Sequence, residues 1–254
     1  DLLYNLNLKI YDLYIRFMMT MKKGDIMDIN IGKYFRNLDE FKKWKESQLA
    51  LEDSLPSPIY CGDPNKKMIS FMINVAWGNE YLVELMKDLK ENKVKATFFL
   101  DGTWIYKYPV LGKMIIDDGH DIGNHGFSHP DMRGMTMEGI RWQLKKTNET
   151  IENELGVKPK LFTPPSGEFD ERVVYLAAQE EMITVLSTID TLDWQKPDPK
   201  DIIEKIKLNL RNGAIILSHP TESSLLALPA IIKIAREKNY TISTVTDLLS
   251  INHE

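Results

Sequence analysis

The sequence predicts an α/β fold in which parallel strands and covering helices form a nearly closed barrel, one strand–helix unit short of the (β/α)8 type. The first observation is that, from Met68 onward, apolar runs of strand length alternate with segments whose apolar residues recur at helical spacing. The second is that about seven such units follow one another, which makes the strands parallel through right-handed crossovers. An open doubly wound sheet is the alternative, but no Gly-rich phosphate loop follows the first strand.

The elements can be assigned in order from apolar spacing and end signals. Strands are predicted at residues 68–74, 96–100, 121–124, 161–163, 182–187, 214–217 and 240–243. Helices are predicted at residues 80–92, 106–118, 136–155, 170–180 and 223–238, with two more beginning at the caps Asp198 and Thr244. Gly156 ends the third helix. Pro199 directly follows the cap Asp198, and Asp247 completes a capping box with Thr244. This order, strand then helix, is the one that a barrel requires.

The first 59 residues are predicted to be an N-terminal accessory segment, and residues 60–254 the main domain. Residues 6–10 alternate between apolar and polar side chains, as in a half-buried strand. Residues 38–52 place apolar side chains at helical spacing, and residues 55–58 are typical of an extended linker. We interpret the segment as an extension packed on the main domain; a small partner-binding module is the alternative.

Composition excludes several classes of protein. The 254 residues are 43% hydrophobic and 27% charged, which is typical of globular domains. A net charge of −5 and an isoelectric point of about 5.7 leave no electrostatic footprint for a nucleic-acid partner. The single cysteine, Cys61, excludes an internal disulfide. No apolar run is long enough for a transmembrane helix, and no charged-then-apolar signal sequence is seen at the start of this chain.

Histidines, aspartates and tryptophans follow several of the predicted strands, at the end where α/β barrels bind ligands. His125 and His129 come after the third strand, four residues apart, so that their imidazoles can reach one metal ion. Each residue alone could be a loop histidine, a helix cap or a core side chain, but their joint position at strand ends favours a site. The strand-end residues are Asn74 to Gly78, His125, His129, Thr163 to Gly167, Asp190 to Trp194, and Ser218 to Pro220.

Six short motifs stand in a specific order between Tyr60 and Ser250. They are VKATFF at 94–99, GHDIGNH at 119–125, HxxxHP at 125–130, PPxG at 164–167, DxxDW at 190–194 and LSH at 217–219. In order and spacing they resemble the polysaccharide deacetylases, the NodB-homology domain of carbohydrate esterase family 4. The resemblance implies a distorted (β/α)7 barrel that hydrolyses the carbon–nitrogen bond of N-acetyl groups. Its implied partner is a polysaccharide of N-acetylglucosamine or N-acetylmuramic acid units, peptidoglycan or chitin, and its implied location is extracellular or in the cell envelope.

The resemblance also implies a role for each strand-end residue. In the family, an Asp-His-His set holds zinc or another divalent metal, and a neighbouring Asp acts as general base on the metal-bound water. His125 and His129 match the metal histidines. His219 matches the proton donor to the leaving amine, and Asp193 matches the carboxylate that orients it. The residues expected to contact the substrate are Trp77, Pro165 and Trp194.

The first and third motifs depart from the family pattern. The family's first motif is Thr-Phe-Asp-Asp-Gly, and in a gap-free alignment its Asp pair falls on Asn74 and Val75. A shift of two residues moves the pair to Ala76 and Trp77, again without a carboxylate. The family's third motif begins with an Arg, where this chain has Thr163. Asn accepts no proton at neutral pH and Val binds no metal, so we predict weak or lost activity and low metal occupancy.

Three functions stay open at this point. The first is a deacetylase-like protein of the cell envelope with a degenerate site. The second is a non-catalytic carbohydrate-binding or scaffold protein of the cell envelope that kept the barrel. The third is a hydrolase that uses a substitute base, for which the carboxylates near strand ends are Glu80, Asp131, Glu168 and Asp190.

Overall fold

The computed structural model describes residues 56–251 of the chain. The strand predicted at residues 6–10, the helix predicted at residues 38–52 and the first residue of the predicted linker lie outside the described residues. The division of the chain after residue 59 remains a prediction. Ile59 itself lies beside the sheet, where it forms an isolated parallel bridge with Val185.

The strands of the described chain pair in parallel and form one curled sheet. They are β1 (Met68–Val75), β2 (Thr97–Leu100), β3 (Asp121–Asn124), β4 (Leu161–Phe162), β5 (Ile183–Thr184), β6 (Ile189–Asp190), β7 (Ile215–Ser218) and β8 (Thr241–Ser243). Their order is β5-β4-β3-β2-β1-β7-β6, and β8 pairs with the first residues of β1. Within residues 56–251 β5 and β6 form no ladder with each other, so the barrel is incomplete. The predicted distorted (β/α)7 barrel is confirmed.

Helices pack against this sheet and begin and end largely where the sequence signals them. They are α1 (Asn79–Glu91), α2 (Gly102–Lys107), α3 (Pro109–Asp117), α4 (Met137–Leu155), α5 (Glu171–Gln179), α6 (Pro199–Asn209), α7 (Glu222–Glu237) and α8 (Val245–Leu248). At the start of α4, Thr136 Oγ1 accepts a hydrogen bond from the Gly139 N–H at 3.1 Å. Gly156 ends α4 with a φ of 73°, a conformation that glycine adopts at little cost. The predicted cap at Gly156 is confirmed, and Thr136, predicted as the first residue of this helix, is its N-terminal cap.

The single helix predicted at residues 106–118 is wrong. The chain forms α2 and α3 there, and the break lies at Tyr108, whose φ is −129°. Pro109 causes the break, because it lacks an N–H and disfavours helical geometry in the residue before it. The first of the two helices also begins at Gly102 rather than at residue 106, because Asp101 caps it by accepting a hydrogen bond from the Trp104 N–H.

The strand predicted at residues 182–187 is wrong in length. The structure has the two-residue β5 there, and a separate strand, β6, follows it without an intervening helix in the described chain. Elements this short carry no period-two pattern that a sequence could show. Because β6 pairs with β7, the loop that carries Asp193 follows β6 and not the predicted fifth strand.

The side chains of the central strand, β1, belong to two apolar clusters, one on each face of the sheet. Phe71, Ile73 and Val75 belong to the cluster between the sheet and helices α1 and α7. Met72 belongs to a separate cluster on the other face, inside the curled sheet. Side chains two residues apart along a strand point the same way, so Asn74 shares the face of Met72. The carboxyl end of β1 therefore presents Asn74 to the barrel interior and Val75 to the helix layer.

Candidate active site

The first histidine of the predicted metal pair, His125, follows β3 directly and is buried. Its Nδ1 lies 2.9 Å from the carbonyl oxygen of Thr163. A carbonyl only accepts, so Nδ1 carries the proton and Nε2 keeps its lone pair. Burial above all, followed by the charge of His129, lowers the pKa of His125 to about 3. His125 is therefore a neutral imidazole at physiological pH, the form that binds metals.

The second histidine, His129, is brought beside the first by a turn in the chain. His129 has a φ of 53°, in the left-handed region that non-glycine residues rarely occupy. The centroids of the His125 and His129 rings lie 5.1 Å apart, with an angle of 77° between the ring planes. The structure thus places together the two imidazoles that the sequence predicts as a pair.

The predicted acid-side pair, Asp193 and His219, is assembled from the loops after β6 and β7. His219 Nδ1 donates to Asp193 Oδ1 at 2.7 Å, and the His219 backbone N–H donates to Oδ2 at 2.6 Å. Ser218 Oγ, at 3.2 Å, and Ser224 Oγ also donate to Oδ2. Burial raises the pKa of Asp193, but the hydrogen bond and charge of His219, together with Ser224, outweigh it and hold the pKa below its usual value. An ionised carboxylate therefore fixes the His219 ring and leaves its Nε2 available.

The three residues predicted to contact substrate differ in how exposed they are. Trp77 is 46% exposed, and its ring is stacked on that of His219, with centroids 5.8 Å apart and an interplanar angle of 7°. Trp194 is 53% exposed and adjoins Asp193 in the chain. Pro165 is buried in the turn after β4 and is a packing residue rather than an open surface. The two tryptophans are thus the accessible aromatic surfaces of this rim.

The residues predicted to stand at the positions of the family's base, carboxylate ligand and arginine are uncharged and buried. Asn74 is buried, and its Oδ1 has no hydrogen-bond donor within the described residues. Val75 is fully buried in the helix-side cluster. Thr163 is buried after β4, where its carbonyl oxygen accepts from His125. The predicted base and metal-ligand positions are therefore uncharged, whereas the predicted pair of Asp193 and His219 is assembled.

The donor set of this rim does not fit the family's metal. Among residues 56–251, no three His, Cys, Asp or Glu side chains lie close enough together to hold a metal ion. The imidazoles of His125 and His129 supply half of a tetrahedral shell and no negative charge. Zinc would therefore lack the carboxylate that completes the family's Asp-His-His set.

Most of the carboxylates predicted as substitute bases are held by other groups. Arg133 pairs with Asp131 at 2.8 Å and with Glu168 at 2.5 Å. Asp190 Oδ1 accepts from the Leu192 N–H at 2.8 Å. These three carboxylates already have partners at neutral pH. The fourth, on Glu80, lines a separate cavity with Trp77.

One carboxylate at the strand ends was missed by the sequence reasoning. Asp101 follows β2 directly, its N–H donates to the Val75 carbonyl at 3.0 Å, and its side chain is buried. Oδ1 accepts from the Trp104 N–H, whereas Oδ2 has no partner among the described residues. Burial raises the pKa of Asp101, and the charge of His129 is among the influences that lower it. A polar residue directly after an apolar strand was the available signal, the one that identified His125.

The curled parallel barrel and its strand-end His–His and Asp–His pairs define a scaffold of the carbohydrate esterase type. Residues 62–185 match the family model described as polysaccharide deacetylase. This chain belongs to the polysaccharide deacetylase family, as its motifs predict. The deacetylases of this family are generally metal-dependent. No helix of residues 56–251 has the length and apolarity needed to cross a bilayer.

Two bacterial relatives illustrate the range of the family around this chain. The uncharacterized protein YlxY of Bacillus subtilis is 44% identical over 232 residues, which make up 88% of this chain and 73% of that protein. A peptidoglycan-N-acetylglucosamine deacetylase of Bacillus cereus is 30% identical over 200 residues, 77% of this chain and 73% of that protein.

Similar solved structures include a pseudoenzyme of carbohydrate esterase family 4. The wild-type protein, from Bacillus anthracis, has a TM-score of 0.76 and 44% identity, and the match covers 78% of this chain and 71% of that chain. A mutant of the same pseudoenzyme with restored enzymatic activity also has a TM-score of 0.76, at 43% identity, covering 78% and 73%. The prediction of a family member with a degenerate site agrees with these neighbours.

Proposed function

We propose that this chain is a polysaccharide deacetylase-like protein of the cell envelope that binds a peptidoglycan-type glycan at the strand-end rim and deacetylates it very slowly or not at all. The observation that carries the proposal is Asn74, at the position of the family's base. Its buried Oδ1 has no donor among the described residues, which costs the unliganded protein about 1–3 kcal/mol. An N–H or O–H group of a bound sugar that reaches the interior would remove this cost.

The uncharged residues at the predicted base and metal-ligand positions argue against turnover. Amide hydrolysis needs an activated water, and loss of one positioned base typically lowers the rate by about 10²–10⁴. Neither Asn74 nor Thr163 accepts a proton at neutral pH, and Val75 has no polar atom in its side chain. Asp193 still orients His219, so Nε2 can exchange a hydrogen bond with a sugar. This combination supports binding without efficient chemistry.

The exposed tryptophans and the relatives together support a peptidoglycan partner. Trp77 and Trp194 offer apolar faces next to the polar pair Asp193 and His219, an arrangement that suits amphipathic sugar rings. Relatives are named as deacetylases of peptidoglycan N-acetylglucosamine in Bacillus cereus and of peptidoglycan N-acetylmuramic acid in Bacillus subtilis. A location in the cell envelope follows from this partner. Chitin, which shares the N-acetylglucosamine unit, is the alternative polymer.

The test measures binding and turnover on the same polymer. The purified chain is mixed with peptidoglycan sacculi, bound protein is measured by sedimentation, and released acetate is assayed in the same sample. We expect saturable sedimentation, with acetate release no higher than that of a His219→Ala variant. Fast acetate release that disappears in His219→Ala would establish an active hydrolase with its base elsewhere on the rim. A folded chain that does not sediment would instead favour a scaffold role.

A further inference from the structure

A cavity of about 290 Å³ lies beside Trp77. It lies between the start of α1 and the junction of α2 with α3. None of His125, His129 and His219 lines it. Its lining residues are Ala76, Trp77, Gly78, Asn79, Glu80, Thr103, Trp104, Lys107 and Tyr108.

Trp77, an aromatic wall of the cavity, is held in position by close packing of the backbone at Gly78. The ring of Trp77 is covered on one side by His219, so the cavity meets the part of the indole that His219 leaves free. Gly78 has a φ of 86°, and a Cβ at this position would lie 2.1 Å from the Pro220 carbonyl oxygen. Only glycine permits this approach, which pins the Trp77 turn against the His219 loop. The aromatic wall is therefore formed before any ligand binds.

A hydrogen bond between two helices forms the floor of the cavity. Trp104 Nε1 donates to Asn79 Oδ1 at 2.6 Å, which joins α2 to the start of α1. Because the amide oxygen of Asn79 is engaged in this way, its Nδ2 is the group left to donate to a ligand. The Tyr108 ring packs at 47° to the Trp104 ring, with centroids 6.0 Å apart, and remains partly exposed. An aromatic surface and an amide donor thus face the same space.

Two opposite charges complete the lining. Lys107 and Glu80 are both exposed, and neither takes part in an ion pair with another of residues 56–251. An ammonium group, a carboxylate, an amide and a hydroxyl around an aromatic wall match the alternating donors and acceptors of a pyranose ring. The volume lies near the lower end of small-molecule sites, about 300 Å³, which suits a single sugar unit.

We propose that this cavity is a second sugar subsite, which binds one hexosamine unit of the glycan whose neighbouring part lies at the catalytic rim. The inference rests on the proposed function and adds to it, because Trp77 belongs to both surfaces. Its indole lets one glycan chain contact the His219 side and the cavity side together. The protein thereby recognises a chain of sugars and not a lone N-acetyl group.

The test titrates the N-acetylglucosamine tetramer into the native chain and four variants by isothermal calorimetry. Tyr108→Ala removes an aromatic wall of the cavity, and Lys107→Met removes a charge while keeping the length of the side chain. Tyr106→Ala is the matched control, because Tyr106 is an exposed tyrosine of α2 that does not line the cavity. Trp194→Ala reports on the rim. Circular dichroism melts verify that each variant is folded.

We expect Tyr108→Ala to weaken tetramer binding about tenfold and Lys107→Met severalfold, with Tyr106→Ala unchanged. If the tetramer binds and Trp194→Ala weakens it, but Tyr108→Ala and Lys107→Met both bind like the native chain, the subsite is refuted and rim binding stands. If the native chain binds neither the tetramer nor peptidoglycan at millimolar sugar, the proposed function fails, and the subsite fails with it. Should Tyr108→Ala not fold, Lys107→Met alone decides between these outcomes.

Discussion

Asp193 holds His219 through both of its carboxylate oxygens: Oδ1 accepts from the ring Nδ1 at 2.7 Å, and Oδ2 accepts from the backbone N–H of the same residue at 2.6 Å. Ser218 and Ser224 add two more donors to Oδ2. Removing the buried carboxylate would leave the two N–H groups of His219 without their acceptor, whereas Ser218 Oγ also lies 2.8 Å from Ser224 Oγ. Asp193 therefore stabilises the fold where the loops after β6 and β7 meet. This structural role accounts for the residue even in a protein without enzymatic turnover.

Replacing Asp193 by Ala is expected to lower the free energy of unfolding by about 1–3 kcal/mol, the range for leaving a buried hydrogen-bonding group without its partner. His219→Ala should cost less, because two serines and a backbone N–H still bind the carboxylate. Urea denaturation of both variants measures the difference. A loss for Asp193→Ala within about 0.5 kcal/mol, the range of ordinary surface substitutions, would contradict this role.

His120 should make the fold sensitive to mild acid. Burial above all, with the charge of Lys95, lowers its pKa from 6.5 to about 4, and its Nδ1 accepts from the Ala96 N–H. The unfolded chain binds this proton below pH 6.5 and the folded chain only below about pH 4, so stability falls as the pH drops through that window. A shift of this size corresponds to about 3 kcal/mol.

Urea unfolding between pH 7 and pH 4 tests the role of His120. His120→Gln keeps an acceptor for the Ala96 N–H and should remove about half of the slope in this window, because His125, whose pKa is lowered to about 3, contributes a similar slope. Asp193→Asn is the contrasting variant. The pKa of Asp193 lies below 3.8, so the stability that it contributes is lost only as the pH falls through that lower value. Equal slopes for the native chain and His120→Gln would show that His120 does not control acid stability.

How far the sequence predicts the fold depends on the length of each element. The helix from Met137 to Leu155 has a cap at each end and several turns of apolar periodicity, and its prediction is confirmed. The strands Ile183–Thr184 and Ile189–Asp190 have two residues each, too few for a period to be visible. Their positions follow from pairing with strands distant in the chain, which the local sequence does not contain.

The sequence likewise predicts some residues of the site and misses others. Motif residues such as His125 and His219 come together because each follows a strand of the same parallel sheet. The sequence does not predict which face of the sheet the Val75 side chain points to. That face depends on whether β1 continues to Val75 or ends before it. Ser224 belongs to no motif, and it reaches Asp193 only through the packing of α7.

Asn74→Leu should stabilise the unliganded protein and weaken glycan binding. The substitution removes a buried oxygen without a donor and keeps a similar volume, so the free energy of unfolding should rise by about 1 kcal/mol. Binding of peptidoglycan should weaken severalfold, because the ligand loses its acceptor inside the barrel. Thermal melts and sedimentation with sacculi give the two readouts. An unchanged affinity would remove Asn74 from the binding site.

Asn74→Asp separates polarity from charge at the same position. It keeps the shape of the side chain but adds a buried charge without a partner, so it should destabilise the protein at neutral pH. If Asn74→Asp and Asn74→Leu shift the melting temperature in the same direction, the environment of residue 74 is not the dry interior that its burial indicates.

Zinc should stabilise a repaired variant and leave the native chain almost unaffected. Asn74→Asp, Val75→Asp and Thr163→Arg together introduce the charged residues of the family pattern. Zinc binding requires the new carboxylate at position 75 to turn from the helix-side cluster toward His125 and His129. Without metal this triple variant should melt below the native chain, because residue 75 lies in the helix-side apolar cluster. Zinc that binds only the folded state should raise its melting temperature by mass action, a shift that chelator reverses.

Acetate release from peptidoglycan should follow the same variants. The triple variant with added zinc should release acetate, and adding His219→Ala should suppress it, because the leaving amine then lacks its proton donor.

Val75→Asn in place of Val75→Asp is the matched control: it has the same size and polarity without the charge, and it should lose both the zinc-dependent stabilisation and the activity. If the native chain itself shows a large zinc-dependent rise in melting temperature, the assignment of residue 75 as the lost metal ligand is wrong. Asp101, the buried carboxylate next to the end of β1, is then the residue to replace, and Asp101→Asn should abolish that rise.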